Sequence, residues 1–274
     1  MINFEIYKSG RIIRYEENTQ LFYKQKIKTL FIFHGLYGRG KNWQSFAKKI
    51  SENEKTTVVT VDLRNHGGNI FKENMSYTLM MEDIFHLFNY LQIKKTNLLG
   101  HSMGGKTAMY WACQHPEKLL GLVVADIAPK EYPPHHQALL KGLRSLDFSV
   151  LTTRKEVDQA LEAAVPDWAF RQFLLKNVYW IAPGELGLRV NIEVLQYAGE
   201  AVGAPLPEAF CCSRPTLFIR GEHSQYITDQ DRMTLKHHFS KFEVQTVSGA
   251  GHFLHAENPK QFSEILLNWV NAVA

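Results

Sequence analysis

Gly100-His101-Ser102-Met103-Gly104 reads Gly-x-Ser-x-Gly, and it stands between an apolar run and a helical pattern. This arrangement is typical of a sharp strand-to-helix turn that exposes a nucleophilic serine. Such a turn crowds the positions two residues on either side of the serine, and glycine is the residue that has no Cβ atom to clash there. Glycine and serine are both common, so the pattern is weak evidence until the surrounding sequence supports it.

The length of 274 residues exceeds what one ordinary domain needs, so we expect one main domain with an insertion. The net charge is +4, and the basic residues are scattered among acids, which argues against nucleic acid or an anionic membrane as a partner. Cys113, Cys211 and Cys212 lack metal-site spacing, and two of them are adjacent, which disfavours a disulfide. With no signal-peptide pattern at 1–14 and no apolar window near the roughly 18 residues of a membrane span, we expect a soluble cytoplasmic protein.

Short apolar runs alternate with amphipathic helical patterns along most of the chain, as in an α/β protein with a parallel sheet. A hairpin is predicted around 6–15. Strands buried on both faces are predicted at 29–33, 57–61, 97–99, 120–125, 216–219 and 243–247. Helices are predicted at 43–50, 77–91, 104–114, 229–239 and 259–273.

The alternation is interrupted between Pro129 and Pro215, where helical patterns occur at 136–146, 155–164, 167–177 and 190–197 and no strand is convincing. Six of the ten prolines lie at the two ends of this interval and mark stiff connections: Pro129, Pro133, Pro134, Pro205, Pro207 and Pro215. We therefore predict a helical cap at 130–207, inserted into a core formed by 1–129 and 208–274. Ligands of open parallel sheets bind beyond the carboxyl ends of the strands, which lie beneath this cap.

A nucleophilic serine needs a general base, an acid that orients the base, and hydrogen-bond donors for the oxyanion. His252 is the predicted base, because it lies between the last predicted strand and the terminal helix, from which a loop histidine reaches Ser102. His255, three residues later, is the alternative. Leu36 lies in a Gly-rich turn after the first long parallel strand, and the N–H groups of Leu36 and Met103 are the predicted oxyanion donors.

The position of the acid departs from the commonest plan, in which a Gly-x-x-Asp pattern follows the strand after the cap. The sequence at that place reads Gly221-Glu222-His223-Ser224. A serine cannot stabilise a charged imidazolium as a carboxylate does, and neutralising the acid lowers activity by about 10⁴. Asp126 is the predicted acid, because it ends the strand that follows the elbow helix and its loop opens toward His252. A plain turn carboxylate is the other interpretation of Asp126, and Ser224 is an auxiliary candidate that can hydrogen-bond either partner. The alternative acids are Glu222, Asp229 and Asp231.

Two further features are interpreted structurally. The stretch Asp62-Leu63-Arg64-Asn65-His66-Gly67 looks like an active-site loop, but an acid and a base at a strand end form a structural pair more often than a catalytic one. Aromatic residues of the cap occur at helical spacings, so most are expected to pack in the cap core and about two to line the pocket at Ser102. These residues are Tyr132, Trp168, Phe170, Phe173, Tyr179, Trp180 and Tyr197.

With Ser102, His252 and the turn at Leu36, the chain resembles the α/β-hydrolase superfamily over essentially its whole length. Four stretches are similar to the YbfF-like esterases and their abhydrolase relatives: Asp62-Leu63-Arg64-Asn65-His66-Gly67, Gly100-His101-Ser102-Met103-Gly104-Gly105-Lys106, Asp126-Ile127-Ala128-Pro129 and Leu188-Arg189-Val190-Asn191. The resemblance implies an α/β-hydrolase fold and a Ser-Asp-His triad whose acid follows the strand after the elbow helix, with a serine at the usual aspartate position. Asp126 and Ser224 match this arrangement. It also implies hydrolysis of short-chain acyl esters, or of acyl thioesters such as acyl-CoA, under a small helical cap.

The leading hypothesis is a carboxylesterase or thioesterase that needs no cofactor or metal and acts on a small-molecule acyl ester or thioester. Ser102 attacks the acyl carbonyl, His252 takes its proton, and water releases the acid. A serine at the elbow argues against the dehalogenase and epoxide hydrolase branches, and a compact cap disfavours a true lipase. The alternatives are a carbon–carbon bond hydrolase or lyase, which Ser224 counts against, and a ligand-binding protein with negligible turnover. Arg189 is compatible with an anionic CoA moiety, although a structural partner is favoured; the sequence does not indicate the oligomeric state.

Overall fold

The computed structural model describes residues 1–15, 22, 28–53, 56–133 and 137–273. Its strands are β1 (Phe4–Lys8), β2 (Arg11–Ile13), β3 (Lys28–Phe33), β4 (Thr56–Val61), β5 (Thr96–His101), β6 (Leu119–Ala125), β7 (Val178–Ala182), β8 (Glu185–Leu188), β9 (Thr216–Gly221) and β10 (Phe242–Val247). Its helices are α1 (Gln44–Ser51), α2 (Tyr77–Tyr90), α3 (Met103–Gln114), α4 (Gln137–Arg144), α5 (Arg154–Leu161), α6 (Trp168–Leu175), α7 (Ile192–Leu195), α8 (Gly199–Gly203), α9 (Arg232–His238), α10 (Leu254–Glu257) and α11 (Pro259–Val273).

The central sheet has eight strands in the order β10-β9-β6-β5-β3-β4-β1-β2. Neighbouring strands from β10 to β4 are parallel, whereas β1 is antiparallel to β4 and forms a hairpin with β2. This architecture confirms the predicted open, mostly parallel sheet and the hairpin near the beginning of the chain. Because β5 lies between β3 and β6, the residues that follow these three strands meet at one edge of the sheet.

Both faces of the sheet are buried, and the alternation of side chains along β3 shows how. Phe31 and Phe33 belong to the apolar cluster on the face covered by α2 and α3, whereas Leu30 and Ile32 belong to the cluster on the other face, with α1 and α11. All four side chains are at most 1% exposed. Burial of each such side chain contributes about 1.5–3 kcal/mol, which explains why the strand reads as a continuous apolar run.

Between β6 and β9 the chain forms α4 to α8 and a two-stranded antiparallel sheet, β7 with β8. The prediction that this interval holds no strand was wrong. Trp180 and Ile181 are 53% and 55% exposed, so β7 lacks the alternation by which a half-buried strand is recognised. Among the described residues it pairs only with β8, in a local hairpin. Pro134 and the first residue of the predicted 136–146 helix lie outside the described residues. The bounds 130–207 for the cap stay a prediction.

The prediction that most cap aromatics pack in the cap core fails for three of the seven, whereas Tyr132, Phe170 and Phe173 are partly buried against the main apolar cluster. Trp168 and Tyr197 are 66% and 82% exposed, as Trp180 is in part. In α6 the buried positions are taken instead by Arg171, Leu174 and Leu175. Helical spacing therefore located the helix but not the face that it buries.

Candidate active site

Ser102 lies at the turn between β5 and α3, with φ 53° and ψ −120°. A non-glycine residue in this backbone conformation costs on the order of 1–3 kcal/mol, and such strain is typical of functional turns. A Cβ atom on Gly100 would lie 2.2 Å from the carbonyl oxygen of Gly104, and one on Gly104 would lie 2.4 Å from that of Phe33. The glycines on both sides of Ser102 are therefore required by backbone atoms, as the sequence pattern predicts.

Asp126 follows β6, the neighbour of β5, and also has a positive φ of 53°. Its side chain is fully buried, and its Oδ2 lies 2.8 Å from Nδ1 of His252. A histidine that donates from Nδ1 presents Nε2 as the acceptor, which is the orientation that a general base for Ser102 needs. Within the described structure no hydrogen bond joins Ser102 to His252, although both line one cavity; this bond is often long in free enzymes.

The carboxylate of Asp126 has two further donors. Its Oδ1 accepts from the N–H of Gly221 at 3.1 Å, and its Oδ2 accepts from the hydroxyl of Ser224 in a short hydrogen bond. Ser224 itself accepts from the N–H of Tyr226 at 3.2 Å. Of the two partners predicted for Ser224, the structure thus places it on the acid, where it holds Asp126 in the orientation that meets His252.

The three alternative acids are used elsewhere and none is hydrogen-bonded to His252. Glu222 accepts from the N–H of Gly249 at 2.6 Å. Asp229 pairs with Arg220 at 2.8 Å and is 92% exposed. Asp231 accepts from the N–H of Thr228 and pairs with Lys130. These carboxylates stabilise turns and the helix start that they adjoin.

His255, the alternative base, is stacked on Trp43, with ring centroids 4.1 Å apart and planes 14° from parallel. Burial lowers its pKa to about 3, and the neighbouring His252 adds to this shift. His101 is buried as well, and its Nε2 donates to the carbonyl oxygen of His252 at 2.8 Å. His101 thereby fixes the main chain of the predicted base.

Leu36 and Met103, the predicted oxyanion donors, border the same cavity as Ser102. Met103 is the first residue of α3, and the first N–H groups of a helix lack intrahelical acceptors. Among the described residues neither N–H has a hydrogen-bond partner, whereas the next one in the turn, on Tyr37, donates to Nε2 of His66 at 3.2 Å. Two main-chain donors beside Ser102 are therefore available to a ligand.

Two buried histidines that sequence reasoning did not single out support this turn. His34 accepts from the N–H of Leu63 at 2.9 Å through Nε2, while His66 accepts from Tyr37. Each uses Nδ1 to donate to a main-chain carbonyl at 2.8 Å. Burial lowers the pKa of both, that of His66 to about 3, which favours the neutral ring that serves as donor and acceptor at once. His66 lies in the quoted stretch 62–67, and His34 directly follows β3, before the turn of Leu36.

The stretch at 62–67 has a structural role, as predicted, but its acid and base do not pair with each other. Arg64 forms a bidentate pair with Asp83 at 2.8 and 2.9 Å. Asp62 instead accepts three N–H groups, from Gly40, Gly68 and the side chain of Asn3. Asp62 thus ties the chain after the Leu36 turn to the loop after β4.

Two cavities meet at Ser102. One, the cap cavity, has a volume of about 80 Å³ and is bordered by apolar groups that include Tyr77, Ile127, Leu195 and Val202. The other, the histidine cavity, has a volume of about 240 Å³ and is bordered by His252, His255, Trp43, Phe170 and Phe173. Leu36, Tyr37, Ser102 and Tyr226 border both. An extended ligand can therefore place its reactive centre at Ser102 and one arm in each cavity.

Tyr226 was not predicted and lies directly on His252, with ring centroids 4.0 Å apart and planes 21° from parallel. Its carbonyl oxygen accepts from the hydroxyl of Tyr132 at 2.5 Å, and that hydroxyl in turn accepts from the N–H of Ala128 at 2.9 Å. These bonds join the loop after Asp126 to the tyrosine that covers the base.

Lys106 lies on α3 one turn after Ser102 and has a fully buried side chain. Its ammonium donates to the carbonyl oxygens of Gly203, at 2.9 Å, and Ala204, and it lies 4.8 Å from the ring centroid of Tyr132. Burial lowers its pKa to about 7. Lys106 therefore connects the nucleophile helix to the end of the cap, although its place in a quoted motif gave it no predicted role.

None of the helices in the described ranges is long and apolar enough to cross a membrane. In the same ranges no group of three or more His, Cys, Asp or Glu side chains is placed to hold a metal ion. The three cysteines are free thiols, of which Cys211 is exposed and Cys212 buried.

Comparison with known proteins agrees with this geometry. Residues 28–165 match a family model described as alpha/beta hydrolase fold. The chain is 31% identical over 250 residues to the Mus musculus protein named sn-1-specific diacylglycerol lipase ABHD11, covering 89% of this chain and 81% of the relative. It is 29% identical over 245 residues to Esterase YbfF of Escherichia coli, covering 88% and 92%. A solved structure named Marine microorganism esterase superposes with a TM-score of 0.88 at 33% identity, covering 97% of this chain and 98% of that one.

Proposed function

Since this chain belongs to the α/β-hydrolase family, we propose that it is a serine carboxylesterase that cleaves small acyl esters through an acyl-enzyme on Ser102. The observation that carries the proposal is the 2.8 Å bond between His252 and the buried Asp126, beside a serine held in a strained turn. Relatives named as an esterase and a lipase support the same reaction class.

In the proposed mechanism the Ser102 hydroxyl attacks the acyl carbonyl while Nε2 of His252 removes its proton. Asp126 stabilises the imidazolium that forms, and the N–H groups of Leu36 and Met103 stabilise the oxyanion. Loss of one such donor costs about 3 kcal/mol of transition-state stabilisation. His252 then passes the proton to the leaving oxygen, the carbon–oxygen bond breaks, and a water molecule activated by His252 releases the acid.

The proton transfer from His252 indicates which part of the substrate enters each of the two cavities. The leaving group has to lie within reach of His252, and His252 borders the histidine cavity but not the cap cavity. The acyl chain therefore enters the cap cavity between Tyr77, Ile127 and Leu195. At about 80 Å³ this cavity admits an acyl chain of only a few carbon atoms, which favours short-chain esters.

A thioester is cleaved by the same steps, since a thiolate leaves from the position of the alkoxide. A panel of p-nitrophenyl esters and CoA thioesters with matched acyl chains tests both substrate classes. We expect turnover that falls as the acyl chain lengthens, and loss of about 10⁶ in kcat for Ser102→Ala. Ser240→Ala, at an exposed serine, is the matched control and keeps wild-type turnover. Failure of the wild type to turn over any member, or unchanged turnover in Ser102→Ala, would contradict the proposal and favour a ligand-binding protein.

A further inference from the structure

A polar cavity of about 170 Å³ lies apart from the two cavities at Ser102 and shares no bordering residue with them. It is formed where β1, the end of β4 and the chain after β8 meet. Three cationic residues border it, two from the segment before α1 and one from the chain after β8: Arg39, Lys41 and Arg189. Arg39 directly follows the turn of the predicted oxyanion donor Leu36, and Arg189 belongs to the cap.

These cations lack an ion-pair partner among the described carboxylates, although Asp62 and Glu5 attract Arg39 from farther away. None of the three forms an ion pair with a carboxylate. Arg189 instead lies over the ring of Tyr179, 4.0 Å from its centroid, which fixes its guanidinium. Burial lowers the pKa of Arg39, the positive charge of Arg189 adds to this shift, and the carboxylate of Asp62 opposes it.

Two carboxylates also border the cavity, and each already accepts hydrogen bonds from the protein. Glu5 accepts from the hydroxyl of Tyr7 at 2.5 Å, and Asp62 accepts the three N–H groups described above. Nε of Arg39 is a buried donor without a hydrogen-bond partner among the described residues. Each guanidinium carries five N–H donors, so the cavity has a surplus of donors that an oxyanion satisfies.

We propose that this cavity is a binding site for a phosphate group, held between Arg39, Lys41 and Arg189. Guanidinium forks match the geometry of phosphate oxygens, and a ring-stacked arginine is already oriented for such a contact. A water molecule occupies about 30 Å³, so a cavity of about 170 Å³ accommodates the five heavy atoms of a phosphate. The net charge of the bordering side chains, three cations against two carboxylates, has the sign that a phosphate needs.

A phosphate at this position joins two parts of the molecule that the structure already connects. The side-chain amide of Asn177 donates to the carbonyl oxygen of Tyr37 at 2.7 Å. The main-chain carbonyl oxygen of Asn177 accepts from the N–H of Arg189 at 2.9 Å. The phosphate adds a second connection, from Arg189 of the cap to Arg39 beside the Leu36 turn. Binding therefore stabilises the folded protein, which makes thermal unfolding a direct readout that needs no ester substrate.

The test uses the full chain and inorganic phosphate, with sodium chloride holding the ionic strength constant. We expect a saturable rise in Tm and a saturable calorimetric binding isotherm, because a ligand of the folded state stabilises it by RT ln(1 + [L]/Kd). Arg189→Gln should weaken binding at least about tenfold, since it removes charge-assisted bonds. Lys41→Gln, on the exposed wall, should weaken it by a smaller factor without affecting folding. Arg232→Gln, at an exposed arginine of α9, is the matched control and keeps the wild-type Kd.

Two further measurements keep the result interpretable. Arg189→Lys retains the charge but loses the fork, so its Kd should lie between those of the wild type and Arg189→Gln even if the latter folds poorly. Glycerol 3-phosphate in place of inorganic phosphate distinguishes a phosphomonoester ligand, if it binds more tightly, from free phosphate. The proposal is overturned if the wild type shows no saturable response beyond that to sodium chloride, or if the wild type, Lys41→Gln and the Arg189 variants bind phosphate equally.

Discussion

Replacement of Asp126 by asparagine separates the proposed triad from any use of the other carboxylates. The carboxylate of Asp126 receives three donors, from Gly221 on one oxygen and from Ser224 and His252 on the other. Asparagine offers one carbonyl oxygen, so its amide group faces at least one donor. If the amide NH₂ group faces His252, the imidazole ring of His252 takes the wrong tautomer. If the NH₂ group faces Gly221, the imidazolium of His252 loses its counter-charge.

The expected loss follows from the burial of this site. Asp126 is fully buried, so water does not replace the missing charge. We expect kcat for p-nitrophenyl acetate to fall by about 10⁴, which is about 5.4 kcal/mol of transition-state stabilisation. The unpaired donor should also lower the free energy of unfolding, by about 1–3 kcal/mol.

The assay is steady-state hydrolysis at a temperature where urea unfolding shows that every variant is folded. Asp229→Asn is the matched control, since Asp229 is exposed and pairs with Arg220, and it should keep kcat within about twofold. Glu222→Gln should do the same, because within the described ranges the Glu222 carboxylate is hydrogen-bonded only to the N–H of Gly249. The reasoning is refuted if Asp126→Asn keeps kcat within tenfold, or if either control loses as much as Asp126→Asn.

Three further predictions concern residues around this centre. Ser224→Ala should lower kcat by about tenfold or less, because Asp126 keeps its bonds to His252 and Gly221; a loss near that of Asp126→Asn, in the same assay, would contradict this. Gly100→Ala should abolish both soluble expression and turnover, since its Cβ atom would lie 2.2 Å from a main-chain oxygen; a folded, active variant by circular dichroism and ester hydrolysis would contradict the geometry. Between pH 7 and 10.5 unfolded Lys106 holds a proton that the folded protein does not, so the free energy of unfolding should rise with pH relative to Lys106→Met, by at most about 1.4 kcal/mol per unit; urea titrations showing no such rise would contradict the lowered pKa.

The sheet and the order of its elements were predictable because both faces of the sheet are buried. Strands such as β3 and β6 must then be apolar throughout, and a run of that kind is visible in the sequence without knowledge of its neighbours. The elbow at Ser102 was predictable for a similar reason, since backbone crowding requires glycine at positions 100 and 104, and this spacing is visible in the sequence.

Other features depend on contacts between distant parts of the chain, which composition does not record. β7 pairs locally with β8 and has three exposed residues in a row, so it lacks an alternating burial pattern. The bond from Ser224 to Asp126 joins residues 98 positions apart, and the sequence allowed either partner for the serine. Lysine is usually a surface residue. The burial of Lys106 is explained by its hydrogen bonds to the carbonyl oxygens of Gly203 and Ala204, which the sequence does not reveal.

The central claim is that Ser102 is a nucleophile activated by His252 and Asp126, and covalent labelling tests it most directly. The protein is treated with a fluorophosphonate and its intact mass is measured, followed by mapping of the modified peptide. The account predicts one phosphonate adduct per chain, located on Ser102, that forms rapidly in the wild type and is lost in Ser102→Ala. It predicts that labelling of Asp126→Asn is slowed by orders of magnitude. An unlabelled wild type, or an adduct on another residue that persists in Ser102→Ala, would contradict it.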